Sequence, residues 1–338
     1  MPKPMPLVEP VTRAVLPFNM RLPSQSVGGI PLGCGHYQTS DCTMAEPTLN
    51  YVPCADANGP RRMAYWQWGA ADAAHTVVCV HGLSRQGRDF DVLAQALVAR
   101  ASQSIRVVCP DVAGRGQSDW LKDPAGYGVP TYAGDMLGLL AHLKPATLDW
   151  VGTSMGGLIG LAVTAHAASV GVQVRKLVLN DVGPVIQWSS LQRIGTYLGR
   201  SVSFDNLQQA ADAMWAISSS FGPHTPAQWL ELSRHMVKTL PDGKVGLHYD
   251  PAIAIPFRAV TEELALAGQA QLWQLYDAIT ADTLLIRGAE SDLLSPETAL
   301  AMTQRGPKAR LVEFAGVGHA PTLIAQDQQD AVTSFLLG

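Results

Sequence analysis

The stretch Val151-Gly152-Thr153-Ser154-Met155-Gly156-Gly157 lies between an apolar, strand-like run at residues 148–152 and a helix-like one that begins at Met155. It fits the pattern G-x-S-x-G as Gly152-Thr153-Ser154-Met155-Gly156. A serine hydroxyl is a poor nucleophile at neutral pH, so it needs a base beside it and a geometry that exposes it. A sharp strand-to-helix turn supplies the exposure, and Gly152 and Gly156 leave room for that turn where a side chain would crowd neighbouring strands or the helix. The turn also directs the first free N–H groups of the helix, that of Met155 included, towards a reacting carbonyl. Ser154 is therefore the expected nucleophile of an acyl-transfer enzyme, and the competing reading is an ordinary tight turn.

The base must come from elsewhere. His319 lies in Gly316-Val317-Gly318-His319-Ala320-Pro321, a loop after the last expected strand at 310–314, where a histidine can stand at the C-terminal edge of a sheet. His75 precedes a strand, His142 and His166 fall in or near helices, and His224, His235 and His248 fall in a helix-rich segment where they at most line a pocket. The expected orienting acid is Asp292, in Gly288-Ala289-Glu290-Ser291-Asp292-Leu293 beyond the strand at 283–287. A carboxylate there would fix the imidazole tautomer and stabilise the imidazolium formed on proton transfer. Its rivals are Glu290 in the same loop and Asp181, directly after the strand at 174–179.

An oxyanion hole needs a second N–H besides that of Met155. His81-Gly82-Leu83-Ser84 follows the apolar strand at 76–80 and can bring the Leu83 N–H opposite the nucleophile, with His81 bracing the loop. Ser84, Arg85 and Arg88 are candidate contacts to a substrate oxygen or acidic group, and Trp188 and Trp215 are candidate pocket residues against a background expectation of packing. The loop from Asp111 to Asp119 reads as a brace in which Asp111, Arg115 and Asp119 form an ion-pair and hydrogen-bond network. It lacks the spacing of a dinucleotide or phosphate loop, so no nucleotide cofactor is implied, and no metal is needed.

Outward from this centre, strands and helices alternate: strands at 63–68, 76–80, 105–109, 148–152 and 174–179, with helices at 90–101, 132–143 and 155–168 between the later ones. This predicts a mainly parallel sheet covered on both faces. The rhythm stops at Asn180-Asp181-Val182-Gly183-Pro184. A helical insertion with helices at 207–217 and 229–240 follows, the strand pattern resumes at 283–287 and 310–314, and a helix at 326–336 closes the chain. The expected organisation is an extension at 1–43, core at 44–183, cap at 184–270 and core again at 271–338.

The chain has 338 residues, and its 24 Lys and Arg against 28 Asp and Glu give a net charge of −4, which argues against a nucleic-acid partner. No run approaches the roughly 18 apolar residues of a membrane span, so a soluble protein, monomer or homodimer, is expected. Cys79 and Cys109 lie in strands as small hydrophobes, while Cys34, Cys42 and Cys54 lack metal-ligand spacing, and a cytoplasmic location is the default. Residues 1–43 contain seven prolines, little periodicity and none of the features of a secretory signal, and are expected to stay outside the core and disordered. Met44 reads as an alternative start of translation.

The four separated signals, namely His81-Gly82-Leu83, the Asp111 to Asp119 loop, Gly152-Thr153-Ser154-Met155-Gly156 and the Asp292/His319 pair, together resemble the α/β-hydrolase family over roughly residues 60–338. The resemblance implies an α/β fold with a mostly parallel sheet, a lid inserted after the sixth strand near Gly183, and Ser154, His319 and Asp292 as nucleophile, base and orienting acid. A serine at the elbow argues against dehalogenation, which uses an aspartate there. Among lidded members the chain looks most like small-ester and lactone hydrolases, including those acting on hydroxyalkanoate oligomers, so a small-molecule ester and water are the expected partners. The same three side chains also serve carbon–carbon bond hydrolases of dienoic diketo acids, acyltransferases, and ligand-binding receptors of this fold.

Overall fold

The computed structural model describes residues 46–56 and 58–338. The expectations for residues 1–43, the alternative start at Met44, and Cys34 and Cys42 lie outside the described residues.

The first half of the chain forms six strands, β1 (Thr48–Asp56), β2 (Gly59–Gly69), β3 (His75–Val80), β4 (Ile105–Pro110), β5 (Thr147–Thr153) and β6 (Val174–Asn180). Between the later ones run α1 (Asp91–Arg100), α2 (Val129–Leu143) and α3 (Met155–His166). After β6 come α4 (Trp188–Tyr197), β7 (Ser203–Phe204), α5 (Leu207–Ser218), α6 (Pro226–Arg234), β8 (Val237–Thr239), β9 (Val245–Leu247), α7 (Ala254–Arg258) and α8 (Glu262–Asp277). The chain then returns to the sheet with β10 (Asp282–Gly288), α9 (Pro296–Gln304), β11 (Arg310–Phe314) and α10 (Gln326–Leu337). The large sheet runs β1-β2-β4-β3-β5-β6-β10-β11, with β2 antiparallel to both neighbours and every pair from β4 to β11 parallel.

Strands buried on both faces read as continuous apolar runs, and the two faces can be told apart residue by residue. Val78 and Val80 of β3 join the cluster under α2 and α3 that holds Trp150, Met136 and Ile159. Val77 and Cys79 join the opposite cluster, with Leu93 and Leu97 of α1 and Val332 and Leu336 of α10. Cys79 and Cys109 are buried free thiols in that second layer. The alternation follows directly from the two-residue period of a strand.

β1 is absent from the sequence expectation. It is an edge strand carrying Pro53, which a sheet tolerates only at an edge or bulge. Its buried Val52 and Cys54 alternate with the exposed Leu49 and Tyr51.

The insertion also departs from the expectation of a purely helical cap. The helix expected at 229–240 ends at Arg234, and Val237–Thr239 is a strand instead, in a small sheet of order β7-β9-β8. The β-branched Val237 and Thr239 favour a strand, and Pro241-Asp242-Gly243 turns the chain into β9, with Gly243 at φ +82° and the Leu240 N–H donating to Lys244 O at 2.8 Å. The insertion has its own apolar cluster of Ala210, Ala211, Met214, Trp229, Leu232 and Met236. Helix α8 runs through the expected cap boundary at residue 270. Among the described residues no helix is long and apolar enough to cross a membrane.

Candidate active site

β5 ends at Thr153 and α3 begins at Met155, so Ser154 alone makes the turn. Its backbone is held at φ 53° and ψ −117°, a region that non-glycine residues rarely occupy and that requires its surroundings to enforce it. The enforcement is visible: a Cβ at Gly156 would lie 2.0 Å from the Val80 carbonyl oxygen, and one at Gly152 would lie 2.3 Å from the Gly156 oxygen. Only glycine lets the start of α3 approach β3 and β5 so closely. The Ser154 N–H donates to Asn180 O at 2.9 Å, which fastens the turn to the end of β6.

Ser154 Oγ lies 2.9 Å from His319 Nε2, and His319 Nδ1 lies 2.7 Å from Asp181 Oδ2. The structure thus brings Ser154 and His319 together as expected, but the carboxylate beside His319 is that of Asp181. Asp292 turns the other way: its two oxygens accept from Arg193 Nε at 2.7 Å and Nη2 at 3.0 Å, and its side chain is 48% exposed.

The physical reason lies at the carboxyl ends of β6 and β10. Asp181 follows β6 immediately, is fully buried, and sits at φ 56° with its N–H on Ile286 O at 2.8 Å. That conformation carries its carboxylate across the end of β10, where it accepts from the Gly288 N–H at 2.9 Å and the Ser291 hydroxyl at 2.6 Å. The loop after β10 therefore supplies donors to the acid rather than the acid itself. The His319 loop closes tightly over the same strand end, since a Cβ on Gly288 would meet Gly318 O at 2.4 Å. Asn180 ties these parts together, its Nδ2 donating to Thr153 Oγ1 at 2.9 Å and Pro321 O at 2.8 Å.

The loop after β3 approaches Ser154 from the other side, with the ideal Cβ position of Gly82 only 3.7 Å from Ser154 Cβ. Among the described residues the N–H groups of Leu83 and Met155 carry no hydrogen-bond partner. His81 is buried beneath this loop, its Nδ1 2.7 Å from Gly82 O and its Nε2 accepting from the Val112 N–H at 3.0 Å. Burial lowers its pKa to about 3, so it stays neutral and its single N–H points at Gly82. It braces the loop, as its position in the sequence implies.

Arg115 is fully buried, and no acidic partner lies within salt-bridge distance among the described residues. Its guanidinium donates to Leu83 O at 2.9 Å, Ala113 O at 2.6 Å and the Tyr132 hydroxyl at 2.9 Å, and its Nη2 lies 3.6 Å from Met155 Sδ. It therefore touches both residues whose N–H groups are without a partner among the described residues. The expected ion-pair network of Asp111, Arg115 and Asp119 does not form. Asp111 instead accepts from the Gly87 and Gln117 N–H groups at 2.7 and 2.8 Å, burial raises its pKa to about 6, and Asp119 accepts from the Arg62 N–H at 2.7 Å. The loop still acts as a brace, through backbone donors.

A cavity of about 150 Å³ opens over Ser154 and His319, walled by the insertion and mostly apolar. Met214, Ile217, Leu232 and Met236 supply apolar wall, while Ser84, Arg85, Asp89, Arg193 and Tyr197 supply polar groups. Of the expected substrate contacts, Ser84 and Arg85 line it. Arg85 is paired with Asp89 at 2.6 and 2.8 Å, and burial pushes the Asp89 carboxyl up.

Arg88 does not reach the cavity. It pairs with Asp91 at 2.7 Å and Glu46 at 3.2 Å and stacks on Trp66. Trp188 and Trp215 are not lining residues either: Trp188 opens α4, and Trp215 packs edge-on against Trp229 with ring centroids 4.9 Å apart. Arg193 and Tyr197 were not singled out by the sequence, because one helix turn among several gives no sign of which face will meet the nucleophile.

Comparison with known proteins places this geometry in context. Residues 77–334 match the model of the alpha/beta hydrolase family. A 3-hydroxybutyrate-oligomer hydrolase of Cupriavidus necator is 47% identical over 297 residues, covering 87% of this chain and 99% of the relative. A 2-hydroxy-6-oxo-2,4-heptadienoate hydrolase of Pseudomonas putida is 26% identical over 250 residues, 73% of this chain and 83% of the relative. The crystal structure of an alpha/beta hydrolase from Novosphingobium aromaticivorans, 32% identical, superposes with a TM-score of 0.73 over 87% of this chain and 99% of that one. With that match, the eight-stranded sheet and the serine elbow at the end of β5, the chain belongs to the alpha/beta hydrolase family.

Proposed function

We propose that the protein is a serine hydrolase that cleaves carboxylic esters through an acyl-enzyme, with oligomers of a hydroxyalkanoic acid as its substrate class. The observation that carries the reading is the hydrogen-bonded chain from Ser154 Oγ through His319 to Asp181, with steps of 2.9 and 2.7 Å, at the floor of a largely apolar cavity. The likeness to the hydroxybutyrate-oligomer hydrolase supports the choice of substrate.

In this mechanism His319 Nε2 takes the hydroxyl proton as Ser154 Oγ bonds to the ester carbon. Asp181, buried and 2.7 Å from Nδ1, holds the ring in orientation and stabilises the imidazolium. The negative charge that develops on the carbonyl oxygen is met by the Leu83 and Met155 N–H groups, each donor of this kind contributing roughly 10²- to 10³-fold in rate. Collapse of the tetrahedral species breaks the bond to the alcohol, which leaves with the proton from His319. Water then repeats the sequence on the acyl-enzyme and releases the acid.

The test is a burst of alcohol product with an activated ester such as p-nitrophenyl butyrate, followed by turnover of hydroxybutyrate dimers and trimers. Ser154→Ala should abolish the burst while the circular-dichroism spectrum stays unchanged, and an undiminished burst would remove Ser154 from the mechanism. The likeness to the heptadienoate hydrolase favours a second reading, carbon–carbon bond hydrolysis by the same residues. Turnover of a dienoic diketo acid with simple esters left untouched would establish it instead.

A further inference from the structure

We infer that Arg193 is the residue that receives the terminal carboxylate of the substrate, so that the enzyme selects free-acid oligomers over neutral esters; this rests on the ester-hydrolase reading above. The cavity over Ser154 is lined mostly by apolar side chains, yet two arginines face it, Arg85 and Arg193. Each is paired with an aspartate, and a carboxylate on the substrate would be a further anion for such a cation to meet. A hydroxyalkanoate oligomer supplies such a group, because every chain ends in a carboxylate on the alcohol side of its last ester bond.

The two arginines differ in availability. Arg85 gives its Nε and Nη2 to Asp89, and the side chains of that pair are only 13% and 17% exposed. Arg85 Nη2 also reaches Leu232 O of the insertion at 3.4 Å. Asp89 itself lines the cavity and would repel an acidic substrate. Separating this pair would leave a desolvated charge behind, so it behaves as a closed unit that ties the loop after β3 to the cap.

Arg193 is the open one. Its partner Asp292 is not a lining residue, and the two side chains are 40% and 48% exposed. Asp292 engages Nε and Nη2, and the Tyr197 hydroxyl is the guanidinium's other side-chain partner. Tyr197, one turn further along α4, lines the same wall and offers a hydroxyl beside the guanidinium. A solvent-screened pair of this kind is weak, so an incoming carboxylate can share the guanidinium or displace Asp292 from one nitrogen. A planar guanidinium suits a carboxylate better than a point charge does. Asp292 then acts as the anchor that holds Arg193 against the cavity.

The experiment compares kcat/KM for a 3-hydroxybutyrate dimer as the free acid and as its methyl ester, in the full-length protein. The wild type should prefer the free acid. In Arg193→Gln the ratio of free acid to methyl ester should fall about tenfold or more, through KM for the acid, and Arg193→Lys should restore part of it. Raising ionic strength should erode the wild-type preference in the same direction, a readout that needs no variant to fold. An equal loss on both substrates, an unchanged ratio, or a wild type indifferent to the blocked carboxylate would each overturn the assignment. A wild type that cleaves neither the methyl ester nor p-nitrophenyl butyrate would overturn the parent reading as well, and is told apart by that result.

Discussion

The carboxylate of Asp181 stands 2.7 Å from His319 Nδ1, while that of Asp292, one loop away, is taken up by Arg193. This relationship assigns two acids to two tasks and separates them experimentally. Asp181→Asn would place an amide against Nδ1, favour the wrong imidazole tautomer, and lower kcat on p-nitrophenyl butyrate roughly 10⁴-fold. Asp292→Asn breaks only an exposed pair and should lower the same kcat by less than about tenfold. Steady-state kinetics on the two variants decide the matter, and a large loss confined to Asp292→Asn would return the orienting role to that residue.

Arg115 holds Leu83 through its carbonyl and Met155 through its sulfur, at 2.9 and 3.6 Å. Removing the guanidinium should let both N–H groups drift from the position of the developing oxyanion. Arg115→Met is expected to reduce kcat roughly 10- to 100-fold with KM for a neutral ester little altered, and Arg115→Lys to recover part of the loss. A change confined to KM, or to thermal stability alone, would make Arg115 a structural residue only.

His81 gives the fold a dependence on acid. Its ordinary pKa of 6.5 falls to about 3 in the folded protein because burial penalises the charged ring. The unfolded chain therefore binds a proton between these values and the folded protein does not. The contribution is complete above pH 6.5 and is lost as pH falls towards 3, at about 1.4 kcal/mol per pH unit within the window. Asp111, raised from 3.8 to about 6 by its own burial, acts in the opposite sense. The discriminating measurement is thus the difference between wild type and His81→Asn in urea denaturation from pH 7 to 5. The stability of the wild type relative to the variant should rise from pH 5 to 7, and parallel profiles would contradict the assignment.

Gly156→Ala would push a methyl group to within 2.0 Å of the Val80 carbonyl oxygen. The atoms it would meet are backbone of Val80 and His81, which cannot turn aside as a side chain could, so a stability loss of about 3 kcal/mol is expected, together with loss of the burst. Thermal unfolding and burst amplitude measure the two effects. A fully active, equally stable variant would mean that α3 can retreat from β3.

Much of this was legible in the chain because the relevant signals are local. The apolar runs that become β3 to β6 are buried on both faces and need no partner to be recognised, and the elbow glycines are fixed by steric contact within one turn. His319 was legible for a related reason, as the one histidine placed in a loop after the final strand. Asp181 against Asp292 was not: each follows a parallel strand at the same edge, and the choice rests on a positive φ at residue 181 and on donors from Gly288 and Ser291 that belong to another strand. β8 was misread because Val237-Lys238-Thr239 finds its partner only after the turn at Gly243. Arg88, Trp188 and Trp215, candidates beside the commoner structural reading, do not line the cavity, because which face meets it is decided by packing between distant segments.

The position of Asp181, directly after β6 and a few residues before α4, has a consequence for how such enzymes diversify. The residue that steadies the imidazole and the first helix of the cap hang from one short tether. A recombination that swapped caps at the last residue of β6 would carry the acid away with the foreign segment, whereas a crossover placed after Pro184 keeps it with the sheet. New substrate ranges are thus most readily acquired by grafting downstream of that proline, and chimeras cut on either side of it should differ in turnover far more than in binding.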